Sequence, residues 1–418
     1  MQQRIRLLKN LASSLLAVGC ACGASTAFAQ SPTESTAPTQ SPPEMTLDVS
    51  VGGGVATNPF LDSDGKTSGS ATIAISPSVF VADDLGETRL SGDLRITRYL
   101  QRYGNDASGT LNASTTRKLD ERTQLQLAAS ARTSRSALRD GLIFASPPSD
   151  TPAPLVPPVS PVLDTTLAGT RARTTVLATT VSIAHRLDEV SGVSAGVELN
   201  GTYIGKDAGF DYRSVSAFLG YQRQLSPRTT VTLGTQVGGV DYLGRRLGDS
   251  LIVSPRAGVQ QQLSDRLNLV ADAGISFVRT AVTGGHSERV SFAGSLGLCD
   301  RTPNRSLCLS ASRSAQPTAL GGVSTVTTAA LNYDARLSRV DRVALGARYG
   351  RTNEDGAGLP FVRVTDFIGA SATYSRDISE RVALTVTPSY AKFFDDLQPR
   401  RANYAIMFGL TLKFGKRR

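Results

Sequence analysis

The chain has 418 residues and a formal net charge of +10, from 45 Lys and Arg against 35 Asp and Glu. The two signs are interspersed with apolar residues rather than gathered into a basic stripe, so no nucleic-acid partner is predicted. No segment reaches the ~18 consecutive apolar residues that a membrane-spanning helix needs, which excludes a helical membrane protein.

The first 29 residues have the features of a secretory signal peptide. Arg4, Arg6 and Lys9 precede the apolar stretch "LLAVGCACGA", and "AFA" stands just before Gln30 in the pattern of a cleavage site. Acylation at Cys20, the last residue of "AVGC", is the lesser alternative. Residues 30–44, "QSPTESTAPTQSPPE", are rich in Pro, Ser and Thr, which predicts a disordered periplasmic lead-in.

The chain after this lead-in alternates apolar and polar residues with a period of two. In "TTVTLGTQVGG", residues 229–239, one face carries Val231, Leu233 and Val237 and the other carries Thr, Gly and Gln, as in a β-strand. About 18 such segments are predicted, near 45–57, 70–82, 87–101, 107–118, 123–136, 173–187, 191–203, 212–225, 229–241, 250–263, 266–279, 288–299, 307–315, 323–337, 341–352, 363–378, 381–394 and 401–414.

Every second connection between these segments is a short recurring phrase or a relative of it such as "ADDLGE". The phrase appears as "RKLDERT", "HRLDEVS", "RQLSPRT", "QQLSDRL", "ARLSRVD" and "RDISERV". Ser or Asp followed by polar residues is turn chemistry. The alternate connections are longer and rich in Gly or polar residues, among them "TNPFLDSDGKTSG" and "TAVTGGHSE".

Short turns at one end, long loops at the other and an even strand number are typical of an outer-membrane barrel. We therefore predict an all-β fold: a closed transmembrane antiparallel barrel over residues 45–414, with short periplasmic turns, long extracellular loops and a basic tail at 415–418. A soluble sandwich also alternates, but its inner face would be densely apolar, whereas the polar face here is rich in Ser, Thr, Gly, Gln and Arg and suits a water-filled lumen.

Residues 137–172 interrupt the strand pattern. They contain "SPPSDTPAPLVPPVSPVLDTT", and proline cannot donate to a sheet ladder. We expect a long extracellular loop that either moves freely at the surface or folds into the lumen as a constriction.

Charged residues on the polar face are the candidates for function. Cations outnumber anions, which would concentrate anions in the throat of a pore; the alternative is a solvated wall without selectivity. The predicted lumen charges are Arg89, Asp93, Arg95, Lys118, Arg132, Glu198, Arg256, Asp272, Arg336 and Arg348.

Aromatic residues on the apolar face lie near the two ends of the predicted strands, as in the interfacial girdles of outer-membrane barrels. Ordinary core aromatics are the alternative, but these would favour strand centres. The predicted girdle residues are Tyr203, Tyr221, Phe277, Phe292, Tyr333, Tyr349, Tyr374, Tyr404 and Phe414. Cys299 and Cys308 flank one short turn of an exported chain, which predicts a disulfide.

No residue pattern indicates catalysis or a cofactor. A Ser–His nucleophile needs an oriented imidazole with an acidic or amide partner, and neither His185 nor His286 has such a motif around it. The loop "DSDGK", residues 62–66, resembles part of a calcium loop but lacks the remaining ligands. We therefore predict a non-enzyme without metal or cofactor.

Several segments resemble a known family. "GGGVATNPFLD", "RLSGDLRITRYL", "TTRKLDERTQLQL" and "CLSASRSAQPTALGGVSTVTTAALNYDARLSRVDR" are similar to the beta-barrel porin 2 family of outer-membrane barrels, over most of residues 45–414. Members often accompany exopolysaccharide gene sets in proteobacteria, so the resemblance implies a role in polysaccharide production or export. It brings no catalytic residues, and the chain departs from the usual terminal aromatic, since "GKRR" follows Phe414.

Three functions remain open from the sequence. The first is an outer-membrane channel or accessory for exopolysaccharide export in a Gram-negative bacterium. The second is a general diffusion porin for small anionic solutes, and the third is a structural surface barrel that conducts nothing. The expected partners are outer-membrane lipid, the barrel-insertion machinery, and either an anionic polysaccharide or small solutes.

Overall fold

A computed structural model of the chain describes residues 43–135, 171–205, 209–244, 247–354, 363–395 and 400–415. Eighteen strands account for most of them. In chain order they are β1 Glu44–Ala56, β2 Ser68–Asp83, β3 Gly86–Tyr99, β4 Asn105–Lys118, β5 Thr123–Ser134, β6 Thr174–Arg186, β7 Ser191–Ile204, β8 Tyr212–Ser226, β9 Thr229–Tyr242, β10 Ser250–Gln262, β11 Leu267–Val282, β12 Gly285–Thr302, β13 Arg305–Pro317, β14 Val323–Arg336, β15 Asp341–Glu354, β16 Arg363–Ser379, β17 Val382–Asp395 and β18 Asn403–Gly415.

The strands form one closed antiparallel barrel. Each strand pairs with the strands before and after it in the chain, and β1 pairs with β18 to complete the ring. Closure leaves no edge strand, so every strand finds hydrogen-bond partners on both sides. The predicted fold class and strand number are confirmed.

The two faces of the wall differ as the alternation predicts. Apolar side chains point outward and stay exposed, for example Leu94 at 59%. Residues of the opposite parity point inward, and near the end of the same strand Thr97 is only 5% exposed. In a soluble domain these large apolar side chains would be buried in a core, whereas here they lie on the outer surface of the barrel.

The repeated phrase forms the short turns at one end of the barrel, which we call the short-turn end. The Oδ1 atom of Asp188 accepts hydrogen bonds from the backbone N–H groups of Val190 and Ser191 at 2.8 and 2.7 Å. The Oγ atom of Ser338 takes the same position in its own turn, accepting from Val340 and Asp341 at 3.2 and 3.0 Å. The phrase recurs because each of these turns needs a short side-chain acceptor that satisfies two backbone donors.

The aspartates of these turns are held in the charged form. Hydrogen bonding by the Val190 backbone amide is the main cause that lowers the pKa of Asp188 below its ordinary value. At Asp120 the side-chain hydrogen bond with Thr123 is the largest cause of a lowered pKa. Asp188 and Asp120 occupy the same position in two turns, and a different nearby hydrogen-bond donor stabilises the carboxylate in each.

The opposite end, which we call the long-loop end, differs from the prediction at one connection, which is shorter than expected. The stretch "TAVTGGHSE" was expected to be a long loop, but β11 and β12 continue to Val282 and Gly285 and leave a two-residue turn. Gly284 lies in that turn with a φ of 85°, a conformation that glycine adopts without strain.

The predicted disulfide is present. Cys299 of β12 and Cys308 of β13 are direct partners in the sheet, and their Cα atoms are 4.2 Å apart. The cross-link therefore joins two paired strands beside the turn at 303–304, rather than closing a flexible loop.

The predicted signal peptide, most of the lead-in, all but the last two residues of the 137–172 loop, and residues 416–418 lie outside the described residues. In the part of the chain that the structure describes, no helix has the length and apolar character needed to cross a membrane.

Candidate functional site: the lumen and its inner loops

All ten predicted lumen charges lie on strand positions whose side chains point inward. On each strand, the residues an even number of positions from the charged residue are mainly buried or polar, whereas the large exposed apolar residues lie an odd number of positions away. Arg89, Lys118 and Arg336 lie at the short-turn end, and the other seven lie further along the barrel. These seven surround the part of the lumen where a passing solute would meet the wall.

The acidic members of this set are hydrogen-bonded by neighbours in the wall. Asp93 accepts a hydrogen bond from the Oγ of Ser76 at 2.8 Å. Glu198 is 4% exposed and accepts one from the Nδ2 of Asn200 at 2.8 Å. Each of these hydrogen bonds holds one oxygen of the carboxylate against the wall, and the carboxylate keeps further acceptor sites.

Asp272 is the acid most closely neutralised. A guanidinium nitrogen of Arg256, on the adjacent strand, lies 3.3 Å from its Oδ1, and Ser295 donates to its Oδ2. Both side chains of the ion pair are largely shielded from solvent. The pair lines an inward cavity of about 280 Å³, together with Gln236 and Ser254.

Two arginines point inward from nearly opposite walls of the barrel. Arg132 lies on β5 and Arg348 on β15, each at a position of inward parity. In the ring of 18 strands, β5 and β15 lie ten strands apart by one path and eight by the other. Two cations on opposite walls favour a positive potential in the lumen between them.

Several inward charges were not among the predicted lumen residues. Lys413 of β18 contacts Asp377 of β16, and Arg342 pairs with Asp334 at 2.9 Å. Strand parity alone could have identified them, since they alternate with exposed apolar residues. Because they are oppositely charged pairs, they add little net charge.

The connection between β1 and β2, residues 57–67, folds into the lumen, and we call it inner loop 1. Asn58 organises it: its Nδ2 donates to the backbone carbonyls of Asp62 and Arg401 at 2.9 and 3.0 Å. Its Oδ1 accepts from the backbone N–H of Asp62 at 3.0 Å. Gly65 passes so close to this amide that any Cβ there would collide with it. Asn58 thus closes the loop and ties it to the segment before β18.

Two apolar side chains fasten inner loop 1 to the inside of the wall. Leu61 packs against Phe367 of β16 and Phe393 of β17, which are 0% and 2% exposed. Phe60 contacts Tyr99 and Tyr103, with ring centroids 5.4 and 5.0 Å apart. These inward-facing aromatics form small apolar clusters near the long-loop end of a lumen that is otherwise polar.

Arginines hold the polar side of inner loop 1. The guanidinium of Arg171 lies 2.9 Å from Asp62, which is 4% exposed, and Arg102 lies 2.6 Å from Asp64. The Arg102 hydrogen bond is the largest cause that lowers the pKa of Asp64. The carboxylates that resembled a calcium loop are therefore paired with guanidinium groups.

A second connection, residues 318–322 between β13 and β14, also folds inward, and we call it inner loop 2. The hydroxyl of Tyr242, on β9, bonds to the carbonyl oxygens of Thr318 and Gly322 at 2.9 and 2.5 Å. Ala319 is fully buried against Ile204 of β7 and Ala172. The loop thus reaches from one wall to strands several positions away around the ring.

Neither inner loop was predicted to be a constriction. That role was predicted only for residues 137–172, and all but the last two of those lie outside the described residues. The available signal was weak: "NPFL" and "TALGG" place apolar residues in connections that were expected to be polar.

The predicted girdle residues are all on outward-facing positions. Phe277, Phe292, Tyr404 and Phe414 are among the more exposed apolar side chains of the barrel. The hydroxyl of Tyr374 bonds to Asp341 at 2.5 Å near the short-turn end. Tyr390 and Phe394 extend the outer belt, with Tyr390 5.1 Å from Tyr404.

The histidines lie outside the lumen. His185 faces outward at the short-turn end, where its Nδ1 is 2.9 Å from the hydroxyl of Thr123. His286 is exposed beside the β11–β12 turn. Among the residues that the structure describes, no cluster of His, Cys, Asp or Glu could hold a metal ion.

No family model matches the sequence. No curated protein matches it. The resemblance to the beta-barrel porin 2 family therefore stays a prediction.

Several solved structures align with most of the chain at low sequence identity. OpdL of Pseudomonas aeruginosa is 11% identical, with 89% of this chain and 99% of that chain covered and a TM-score of 0.43. A BenF-like porin from Pseudomonas fluorescens Pf-5 is 11% identical, with 90% and 99% covered and a TM-score of 0.45. The FrpB iron transporter of Neisseria meningitidis is 9% identical, with 89% and 82% covered and a TM-score of 0.40. Similarities of this size carry no argument about what this chain binds or transports.

Proposed function

We propose that the protein is a channel of a Gram-negative outer membrane that passes small anionic solutes. The observation that carries this proposal is the position of Arg132 and Arg348, which point inward from nearly opposite walls of the lumen. A positively charged lumen with low-dielectric walls raises the local concentration of anions and repels cations. Seven of the ten predicted lumen charges are cations and three are acids.

Membrane placement is supported by the exterior of the barrel. Its outward side chains are mainly Leu, Ile, Val and Phe that remain exposed over most of the strand length. Closure satisfies the backbone groups of the strands, which is what a sheet needs in order to lie in lipid. The short-turn end then faces the periplasm and the long-loop end the exterior.

The inner loops favour small solutes over a polymer. Inner loops 1 and 2 occupy the long-loop mouth, and both are held by buried contacts rather than by exposed ones. A polysaccharide chain would have to displace them. The export hypothesis rests on the family resemblance alone; unchanged secreted polymer in a strain that lacks this gene would remove it.

The same loops favour the second candidate, a barrel that does not conduct. If the inner loops close the mouth, the protein would be a structural element of the membrane surface. Conduction separates the two functions directly.

The test is the current through the purified full-length protein in a planar bilayer under a potassium chloride gradient. The proposal predicts steady open steps and a reversal potential on the chloride side. Absence of steps, with insertion verified by protease protection, would favour the structural barrel. A reversal potential on the potassium side would contradict an anion channel.

A further inference from the structure

A groove on the outside of the barrel runs across strands β12 to β16. Its floor is made of small side chains: Ala311 and Ala329 are direct partners in the sheet, and Ala347 lies on the next strand. Leucines and Tyr349 form its sides, and its volume is about 430 Å³. The surface that a lipid would meet is therefore recessed here, while long apolar side chains flank it.

Two arginines lie directly beyond the groove, toward the long-loop end. Arg313 is two residues after Ala311 on β13, and Arg351 is two residues after Tyr349 on β15. Both are paired with Thr327 of β14, which stands between them. Two strand spacings separate their Cα atoms by roughly 9.5 Å, a gap that long guanidinium side chains can close around one anionic group.

The local charge is positive. Arg351 lies 3.8 Å from Asp366, which also accepts a hydrogen bond from the hydroxyl of Tyr349 at 3.0 Å. Lys392, opposite Ile368, adds a further cation on the same face. Three cations against one carboxylate leave an excess of positive charge at this level of the wall.

Arg313 has a side-chain hydrogen-bond donor that no described residue of the wall satisfies. Its Nε atom is shielded from solvent and has no hydrogen-bond partner among the described residues. A guanidinium nitrogen buried on the outside of a barrel has lost its water without gaining a protein acceptor, which is unfavourable unless another molecule supplies one.

We propose that this groove, with Arg313 and Arg351, binds one phosphorylated lipid of the outer leaflet. An acyl chain fills the groove over Ala311 and Ala329, and the phosphate accepts hydrogen bonds from the two guanidinium groups. The inference rests on the membrane placement in the proposed function, but not on conduction, because these side chains point away from the lumen. Charge complementarity selects a phosphate-bearing lipid over a second copy of this chain.

The test is native mass spectrometry of the full-length barrel in detergent, titrated with lipid A that carries two phosphates. We expect one tightly bound lipid, with binding weakened roughly tenfold or more in the R313Q/R351Q double variant. Filling the groove with Ala329→Leu should weaken binding to a similar degree. Lipid A stripped of its phosphates should bind the wild-type protein as weakly as intact lipid A binds the double variant.

Matched controls come from other strands. Arg98→Gln removes an exposed cation that faces outward from β3, and Ala217→Leu enlarges an outward alanine on β8. Both should leave lipid binding unchanged. Wild-type binding in either test variant, equal loss in the controls, or equal binding of the dephosphorylated lipid would overturn the proposal. So would an Ala329→Leu variant that changes the number of barrels per particle, since the groove would then belong to an interface between copies.

Failure of the lipid site and failure of the channel are separable. Bilayer currents of the R313Q/R351Q variant report on the lumen alone and should keep the wild-type reversal potential. Lost lipid binding with unchanged current supports the site, whereas wild-type binding in a protein that conducts overturns the site and leaves the channel standing.

Discussion

The two ends of the barrel are built on different principles. At the short-turn end, Asp188 satisfies donors two and three residues away in its own turn. At the long-loop end, the hydroxyl of Tyr242 donates to the carbonyl of Thr318, 76 residues away. The backbone N–H of Asn58 donates to the side-chain oxygen of Asn403, 345 residues away. Hydrogen bonds within single turns stabilise the short-turn end, whereas contacts between residues far apart in the sequence stabilise the long-loop end.

This difference assigns separate roles to the two ends. A turn that is complete in itself only reverses the chain, so one phrase can serve at many places. A connection that folds inward depends on side chains from several strands, and it determines what can enter the lumen. Variants at the two ends should therefore differ in both stability and conduction.

The largest effect is expected from Phe367→Ala, which removes the inward aromatic that packs against Leu61. Because Phe367 is fully buried, we expect the free energy of unfolding to fall by about 3–5 kcal/mol, measured by urea unfolding in detergent. Phe408→Ala is the control: Phe408 is 51% exposed on the outside, so its removal leaves no enclosed cavity. Equal losses in the two variants would mean that Leu61 does not fasten the loop.

Asn58→Ala should release inner loop 1. The backbone N–H and C=O of Asp62 lose their partners, and each unsatisfied group costs about 1–3 kcal/mol if it stays buried. Because a freed loop exposes these groups to water instead, we expect a smaller loss of stability but a larger single-channel conductance. Asn112→Ala, an exposed position of inward parity on β4, should change neither quantity.

Tyr242→Phe removes only the hydroxyl that holds inner loop 2. We expect a loss of about 1 kcal/mol in unfolding free energy and more frequent current fluctuations, since the loop keeps its apolar contact at Ala319. Tyr221→Phe, whose hydroxyl makes one long bond of 3.4 Å to Ser191, serves as the matched control. Identical recordings from both variants would show that inner loop 2 is not held by this hydroxyl.

The smallest effect is expected at the short-turn end, from Asp188. The pKa of Asp188 is lowered in the folded chain, so its contribution to stability is present above the ordinary pKa of aspartate and is lost as pH falls through the folded value. The difference in unfolding free energy between the wild type and Asp188→Ala should therefore shrink toward zero under acid. Asp188→Ser should retain the turn bonds without this pH dependence, as Ser338 does in its turn.

The contrast between the ends also explains what could be predicted from the sequence. Alternation gave the strands and their inward charges, because the two-residue period fixes the face of a residue such as Arg132 before any fold is known. The short turns were predictable because "LDEVS" and "LSRVD" contain both the acceptor and its donors.

The inner loops could not be predicted in the same way. Nothing near Leu61 in the sequence indicates Phe367, and nothing near Thr318 indicates Tyr242. The placement of Arg132 opposite Arg348 is of the same kind, since it depends on which strands lie opposite each other in the closed ring. Strand register and closure had to be known first.

The most direct test of the account is the ion selectivity of the double variant R132E/R348E in a planar bilayer. Reversing both of these inward charges should move the reversal potential from the chloride side to the potassium side. Arg98→Glu, which changes an outward-facing arginine, should leave it on the chloride side. An R132E/R348E channel that stays as anion-selective as the wild type would contradict the claim that these two arginines set the field of the lumen.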